Sequence, residues 1–175
     1  MVSGPERTPS ETELFAVDEC FNRLKRLLNN KAAKEKVTEL ISLLQNFLIS
    51  SNTAVRFKVV NEASAFDLPK ITDLLEYALR NDPSELVRHE AASALGEVSQ
   101  AGDQRAISIL TKVGLSDESP IVRHEAAMAL DSIGDETVLP DLRRCLDDPN
   151  PLVVVSCEVA ISSILYREIN YQSPL

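Results

Sequence analysis

One phrase in this chain occurs twice and constrains the fold more than any other feature. Val87-Arg88-His89-Glu90-Ala91-Ala92 returns as Val122-Arg123-His124-Glu125-Ala126-Ala127, 35 residues later. The chain has two histidines in all, and both sit at the same place in the phrase. Self-similarity at a period of roughly 20–50 residues marks a repeat architecture, in which no unit buries its apolar face without a neighbour. Weaker copies flank the strong ones: Ala54-Val55-Arg56-Phe57-Lys58 before them and Leu152-Val153-Val154-Val155-Ser156 after them. The four copies are spaced by 32, 35 and 31 residues.

Between the copies lie apolar residues at helical spacing: Ile71, Leu74, Leu75 and Leu79, then Ile107, Leu110 and Val113, then Leu139, Leu142 and Leu146. Each unit therefore reads as helix A, a turn such as Asn81-Asp82-Pro83 or Asp147-Asp148-Pro149, and helix B opening with the phrase. Pro83, Pro120 and Pro151 stand ahead of the arginine or its equivalent and are expected to start helix B, where a missing N–H costs nothing. Two-helix units of this period stack into an α-solenoid. Composition agrees. There is no Trp, aromatics make up 5%, and only five glycines are present, which suits close-packed helices and leaves few hairpin turns.

The pattern resembles HEAT repeats of the short variety whose helix B reads Val-Arg-x-x-Ala-Ala-x-Ala-Leu. That resemblance implies an all-α solenoid of HEAT-like helical hairpins with helix B on the concave face. Residues 51–169 form the repeats, and 170–175 a short C-terminal tail. Ahead of them, residues 1–10 read as a disordered tail. Residues 11–50 form a helical hairpin, with Leu14, Val17, Phe21, Leu24 and Leu28 on one helix and Val37, Leu40, Ile41, Leu44, Phe47 and Leu48 on the other. Ser10 and Glu13 are expected to make the capping box of the first helix, which ends at Asn29-Asn30. The hairpin either caps the solenoid or meets a second copy.

The net charge of −9 points away from nucleic acid and anionic membrane surfaces and toward a basic protein or cationic substrate. No segment reaches the ~18 apolar residues of a membrane span, and the start lacks the apolar stretch of a secretory signal. Cys20, Cys145 and Cys157 lack metal-ligand spacing and read as free thiols. A soluble cytoplasmic protein is the expectation. Arg88 and Arg123 are expected to pair with the acidic turns ahead of helix B rather than to act in catalysis.

Adjacent His and Glu point about 100° apart on a helix, so one pair is a poor metal site. Two pairs on neighbouring helices about 8–10 Å apart are different. Imidazole with carboxylate suits a redox iron, and carboxylates can bridge two ions. The residues leave open a metal role and a solvated partner-binding surface. There is no phosphate-cradling Gly-rich loop, no Gly-x-Ser-x-Gly and no zinc-deaminase signature.

The stretches Leu86 to Gly96 and Ile121 to Leu130, followed by Ser156-Cys157-Glu158-Val159-Ala160, resemble deoxyhypusine hydroxylase, a HEAT-repeat iron monooxygenase. The resemblance covers about residues 53–169 and best matches the C-terminal half of that enzyme. It implies His89, Glu90, His124 and Glu125 as iron ligands in a di-iron centre and O2 as co-substrate. It also implies translation initiation factor five-A, with its deoxyhypusine side chain, as the basic protein substrate. The family has four His-Glu pairs in two halves. Here Phe57 and Lys58, and Val155 and Ser156, stand at the flanking positions, so one chain supplies two pairs. Asp131 replaces the glycine seen at Gly96, and Val154 replaces an arginine. A homodimer or a separate first-half subunit would complete the set. The alternatives are a non-catalytic HEAT scaffold for a basic partner and an accessory of the bilin-lyase kind.

Overall fold

In the computed structural model of this chain the described residues are 8–28, 34–66 and 68–171. They form nine α-helices and no strand. The helices are α1 (Pro9–Leu28), α2 (Lys34–Phe47), α3 (Thr53–Ala63), α4 (Pro69–Asn81), α5 (Glu85–Val98), α6 (Gln104–Lys112), α7 (Pro120–Ile133), α8 (Leu139–Arg144) and α9 (Pro151–Tyr171). Single 3-10 turns follow α6 (Gly114–Ser116), precede α8 (Glu136–Val138) and follow it (Cys145–Asp147).

The odd-numbered helices make one layer. α1 packs on α3, α3 on α5, α5 on α7 and α7 on α9. The even-numbered helices cover one side of it, α4 against α5, α6 against α7 and α8 against α9. This is the stacked-hairpin solenoid expected from the repeat. The phrase lies in α5 and α7, which make the most extensive contact in the molecule. Small residues are the reason. Ala91, Ala92 and Ala94 of α5 and Ala126, Ala127 and Ala129 of α7 are buried. A Cβ placed on Gly96 would meet the Ala129 Cα at 2.8 Å, so only glycine lets the two backbones come this close.

The N-terminal hairpin is the first layer of the same stack. Val17, Phe21, Leu24, Leu40, Ile41 and Leu44 are buried, and Phe21 stacks on Phe66 with centroids 5.5 Å apart. Most of its apolar face therefore packs inside the chain. Leu28, expected on the buried face, is exposed. The expected helix end at Asn29-Asn30 lies outside the described residues. The capping box sits two residues earlier than Ser10 and Glu13. The Thr8 N–H donates to Glu11 Oε2 at 2.7 Å, and the Glu11 N–H donates back to Thr8 Oγ1 at 3.3 Å. Pro9, with no N–H to satisfy and its φ preset, takes the first helical position and so moves the cap to Thr8. Glu13 instead accepts from Ser50 Oγ at 3.1 Å, tying α1 to the end of α2.

Pro120 and Pro151 open α7 and α9 as expected. Pro83 does not open α5, which starts at Glu85 behind Ser84. The last helix A is short: α8 gives way to a 3-10 turn, and Leu146 is exposed rather than packed.

The phrase arginines form a ladder along the stack. Arg88 donates from Nε and Nη2 to the two Asp117 carboxylate oxygens at 2.7 and 2.9 Å, and from Nη1 to the Asp82 carbonyl at 3.0 Å. Arg123 repeats this with Asp148 at 2.7 and 2.9 Å and the Asp117 carbonyl at 2.8 Å. Arg56 starts the series on Asp82 and the Ser50 carbonyl. Each arginine thus takes a carbonyl from the turn ahead of its own helix and a carboxylate from the turn of the next unit. Each aspartate also accepts the N–H two residues on, at Ser84, Ser119 and Asn150. The salt bridges expected for Arg88 and Arg123 are made to the turn of the next unit rather than to the one ahead of their own helix, and they lock successive units in register. Val154, at the equivalent position of α9, has no guanidinium to extend the ladder.

Candidate metal-ligand face

The two His-Glu phrases sit one turn inside α5 and α7, with Val87, Arg88, Ala91, Ala92, Val122, Ala126 and Ala127 turned inward. His89, Glu90, His124 and Glu125 take the remaining sector of each helix and are half-buried. Packing of the apolar and small residues therefore fixes where these four point.

They do not pair within a phrase. His89 of α5 reaches across to α7, with Nε2 3.2 Å from Glu125 Oε2. The hydrogen bond to Glu125 lifts His89 above the ordinary imidazole value against the pull of burial. The same bond holds the Glu125 carboxyl below its usual range, and a further bond from Ser93 helps. Glu90 turns the other way and accepts from Asn61 Nδ2 on α3 at 2.7 Å. His124 reaches α9, where its Nδ1 lies 2.5 Å from Ser156 Oγ.

Ser156 orients the His124 ring. Its one hydroxyl hydrogen donates to the Leu152 carbonyl at 2.7 Å. Its oxygen can therefore accept from His124 Nδ1, which turns Nε2 away from Ser156. A histidine anchored through one nitrogen is oriented to offer the other to a cation. His89 differs: its Nε2 hydrogen lies on the line to Glu125, where an ion bound by both would replace it.

Asn61 and Ser93 were not singled out by the sequence, and Ser156 was named only in the tail motif and as a non-ligand at the fourth unit. The signal was present in the alignment. Asn61 and Ser93 are four residues beyond Phe57 and His89, on the same helical face, and Ser156 stands at the Glu position of the fourth unit.

The donor types suit iron, but one chain does not bring enough of them together. Among the described residues no group of three or more His, Cys, Asp or Glu side chains is placed to hold an ion. His89 with Glu125 is the one cross-helix contact within the four.

The profile of HEAT repeats matches residues 24–96 and 72–161, most of the chain. The chain belongs to the HEAT-repeat family. No curated protein matches its sequence at a significant level. Among solved structures, this HEAT protein is similar to human deoxyhypusine hydroxylase in complex with glycerol. The two share 28% identity over 82% of this chain and 50% of that one, with a TM-score of 0.71. The chain thus spans half the length of that enzyme. It is also similar to the Escherichia coli protein YibA, at 20% identity over 99% of this chain and 67% of that one, with a TM-score of 0.58. That second likeness is one of fold. No helix among the described residues is long and apolar enough to cross a membrane.

Proposed function

We propose that this chain supplies half of the ligand set of a deoxyhypusine hydroxylase-like iron monooxygenase, cytoplasmic in setting, that hydroxylates the deoxyhypusine lysine side chain of translation initiation factor five-A. The other half comes from a second chain, either another copy or a first-half subunit. The observation that carries this reading is the contact of His89 with Glu125 across α5 and α7 beside a His124 anchored through Nδ1 on Ser156. The likeness to one half of the human enzyme supports it.

In this reading His89, Glu90, His124 and Glu125 are the iron ligands. Bound iron supplies the activation of O2 as co-substrate. The chain's own residues do the preparation: Ser156 orients His124, Ser93 orients Glu125, and Asn61 orients Glu90. The net charge of −9 gives a basic loop of the factor an electrostatic reason to approach.

The experiment is iron loading of the purified protein, with iron per chain, mass in solution and hydroxylation of the deoxyhypusine-bearing factor measured together. Iron bound only by an assembly of two or more chains, and lost in H89A and H124A, is the expected outcome. A protein that binds no iron and leaves the factor unmodified, alone and with a first-half subunit, sinks the reading.

A second reading is favoured by one observation: His89, Glu90, His124 and Glu125 each already have a partner within the chain. Such a surface serves equally as a HEAT scaffold for a basic protein. Under it, the H89A/H124A double variant binds that partner as well as the parent does.

A further inference from the structure

The apolar stripe on the outer face of α9 has no counterpart of its length among the described residues. Leu152, Val155, Val159, Ser162, Tyr166 and Ile169 follow one another at alternating steps of three and four. The five apolar members are 44%, 54%, 48%, 69% and 69% exposed. A seam at this spacing is what a helix presents to a partner helix.

The repeat register says which face this is. Leu152, Val155, Val159 and Ser162 are equivalent to Ile121, His124, Met128 and Asp131 of α7, and those positions face α9. His124 meets Ser156, and Asp131 pairs with Arg167. One unit earlier Gly96 faces Ala129 of α7 from the position equivalent to Asp131. The stripe on α9 is therefore the stacking face continued, the seat onto which a next helix of this layer would pack. In the interior units that face carries polar side chains at some of these positions. On α9 it is Leu, Val and Val, with Glu158 beside it.

We propose that the stripe is a dimer interface, with the seat occupied by α9 of a second copy across a two-fold axis, antiparallel. Three observations choose this occupant. The stripe is nearly self-complementary when reversed: Leu152 falls opposite Ile169, Val155 opposite Tyr166, and Val159 opposite Ser162. Second, the other end of the stack does not match it. α1 exposes Glu19, Asn22, Arg23 and Arg26, so a head-to-tail contact would bury charge against valine and would also propagate without closing. Third, the extent is sufficient. Leu152 to Ile169 runs about 27 Å at 1.5 Å per residue, and two such stripes bury on the order of 1,000 Å² in total, near the lower bound for a specific dimer. This contact is separate from the iron reading. It lengthens the stack end to end and leaves the His-Glu faces of both copies open, so it stands or falls on metal-free protein.

The test is sedimentation equilibrium of chelator-treated protein. The parent is a dimer at tens of micromolar, and V155E/V159E is a monomer with unchanged helicity and melting temperature, its association weakened at least about tenfold by a buried unpaired carboxylate. H89A/H124A stays dimeric. Mixed L152C and I169C chains oxidise to a cross-linked heterodimer, whereas L152C alone does not, because antiparallel pairing sets the two Leu152 positions far apart. A parent that is monomeric at about 100 micromolar overturns the proposal. So does a dimer that survives V155E/V159E. A dimer lost in H89A/H124A alone also overturns it, and would instead place the second copy on the His-Glu face.

Discussion

Replacing Arg88 with methionine tests whether the arginine ladder holds the stack. The side chains of Arg88 and Asp117 are 8% and 7% exposed, and their contact is bidentate at 2.7 and 2.9 Å. R88M removes both charge-assisted bonds and the bond to the Asp82 carbonyl, and it strands a carboxylate in a nearly dry site. Removing one partner of a buried pair costs about 3–5 kcal/mol. At about 2–4 °C per kcal/mol for a domain of this size, Tm falls by roughly 6–20 °C. Arg105 with Asp73 is the internal control. It joins α6 to α4 over a similar separation in sequence, yet the side chains are 48% and 47% exposed. R105M should cost less than about 1 kcal/mol because water already screens that pair. Adding D117N to R88M keeps the acceptor for the Ser119 N–H while removing the stranded charge, and should return part of the loss. Thermal unfolding followed by circular dichroism at 222 nm reads all four proteins. Equal losses for R88M and R105M, or a D117N that adds to the damage, would refute the claim that buried charge makes the ladder matter.

Three further outcomes follow. Gly96→Ala forces a Cβ to within 2.8 Å of the Ala129 Cα, and overpacking of this kind costs about 1–3 kcal/mol, measurable as a fall in urea midpoint. Asp148 is held below the ordinary carboxylate range first by its hydrogen bond from Arg123. A depressed folded value contributes stability that is present above the unfolded pKa, about 3.9, and is lost as pH falls through the folded one. The urea midpoint should thus drop below about pH 4, with a shallower drop in R123M. Ser156→Ala removes the acceptor that fixes His124. If the iron reading holds, iron affinity should fall about 10- to 100-fold while Tm moves little, as checked by competition with a chelator.

Much of the architecture was legible before any coordinates. The period, the alternation of apolar stretches and the small residues after Val-Arg follow from what stacked helices require, so helix existence and the layer order could be read directly. The arginine pairing was legible in kind, because an acidic turn stood near each arginine. Its direction was not, since adjacency in sequence favours the turn ahead, whereas the carboxylate comes from the turn of the next unit. The capping box slipped by two residues because Pro9 competes for the first helical position. Leu28 and Leu146 were placed on buried faces by periodicity alone, and both are exposed.

The four candidate ligands divide in the same way. That His89, Glu90, His124 and Glu125 are special is a property of the sequence, since the only two histidines recur with glutamate at one repeat position where packing does not require them. Which of them meet is decided by tertiary structure. The offset of α5 against α7, set by Gly96 and the alanines, brings His89 to Glu125 rather than to Glu90. The fourth unit, which has no His-Glu pair, supplies Ser156 to orient His124. Side-chain type is written locally, but the distance between groups on two helices depends on how closely their backbones approach. Here that approach is set by small residues up to about two turns away from the histidines.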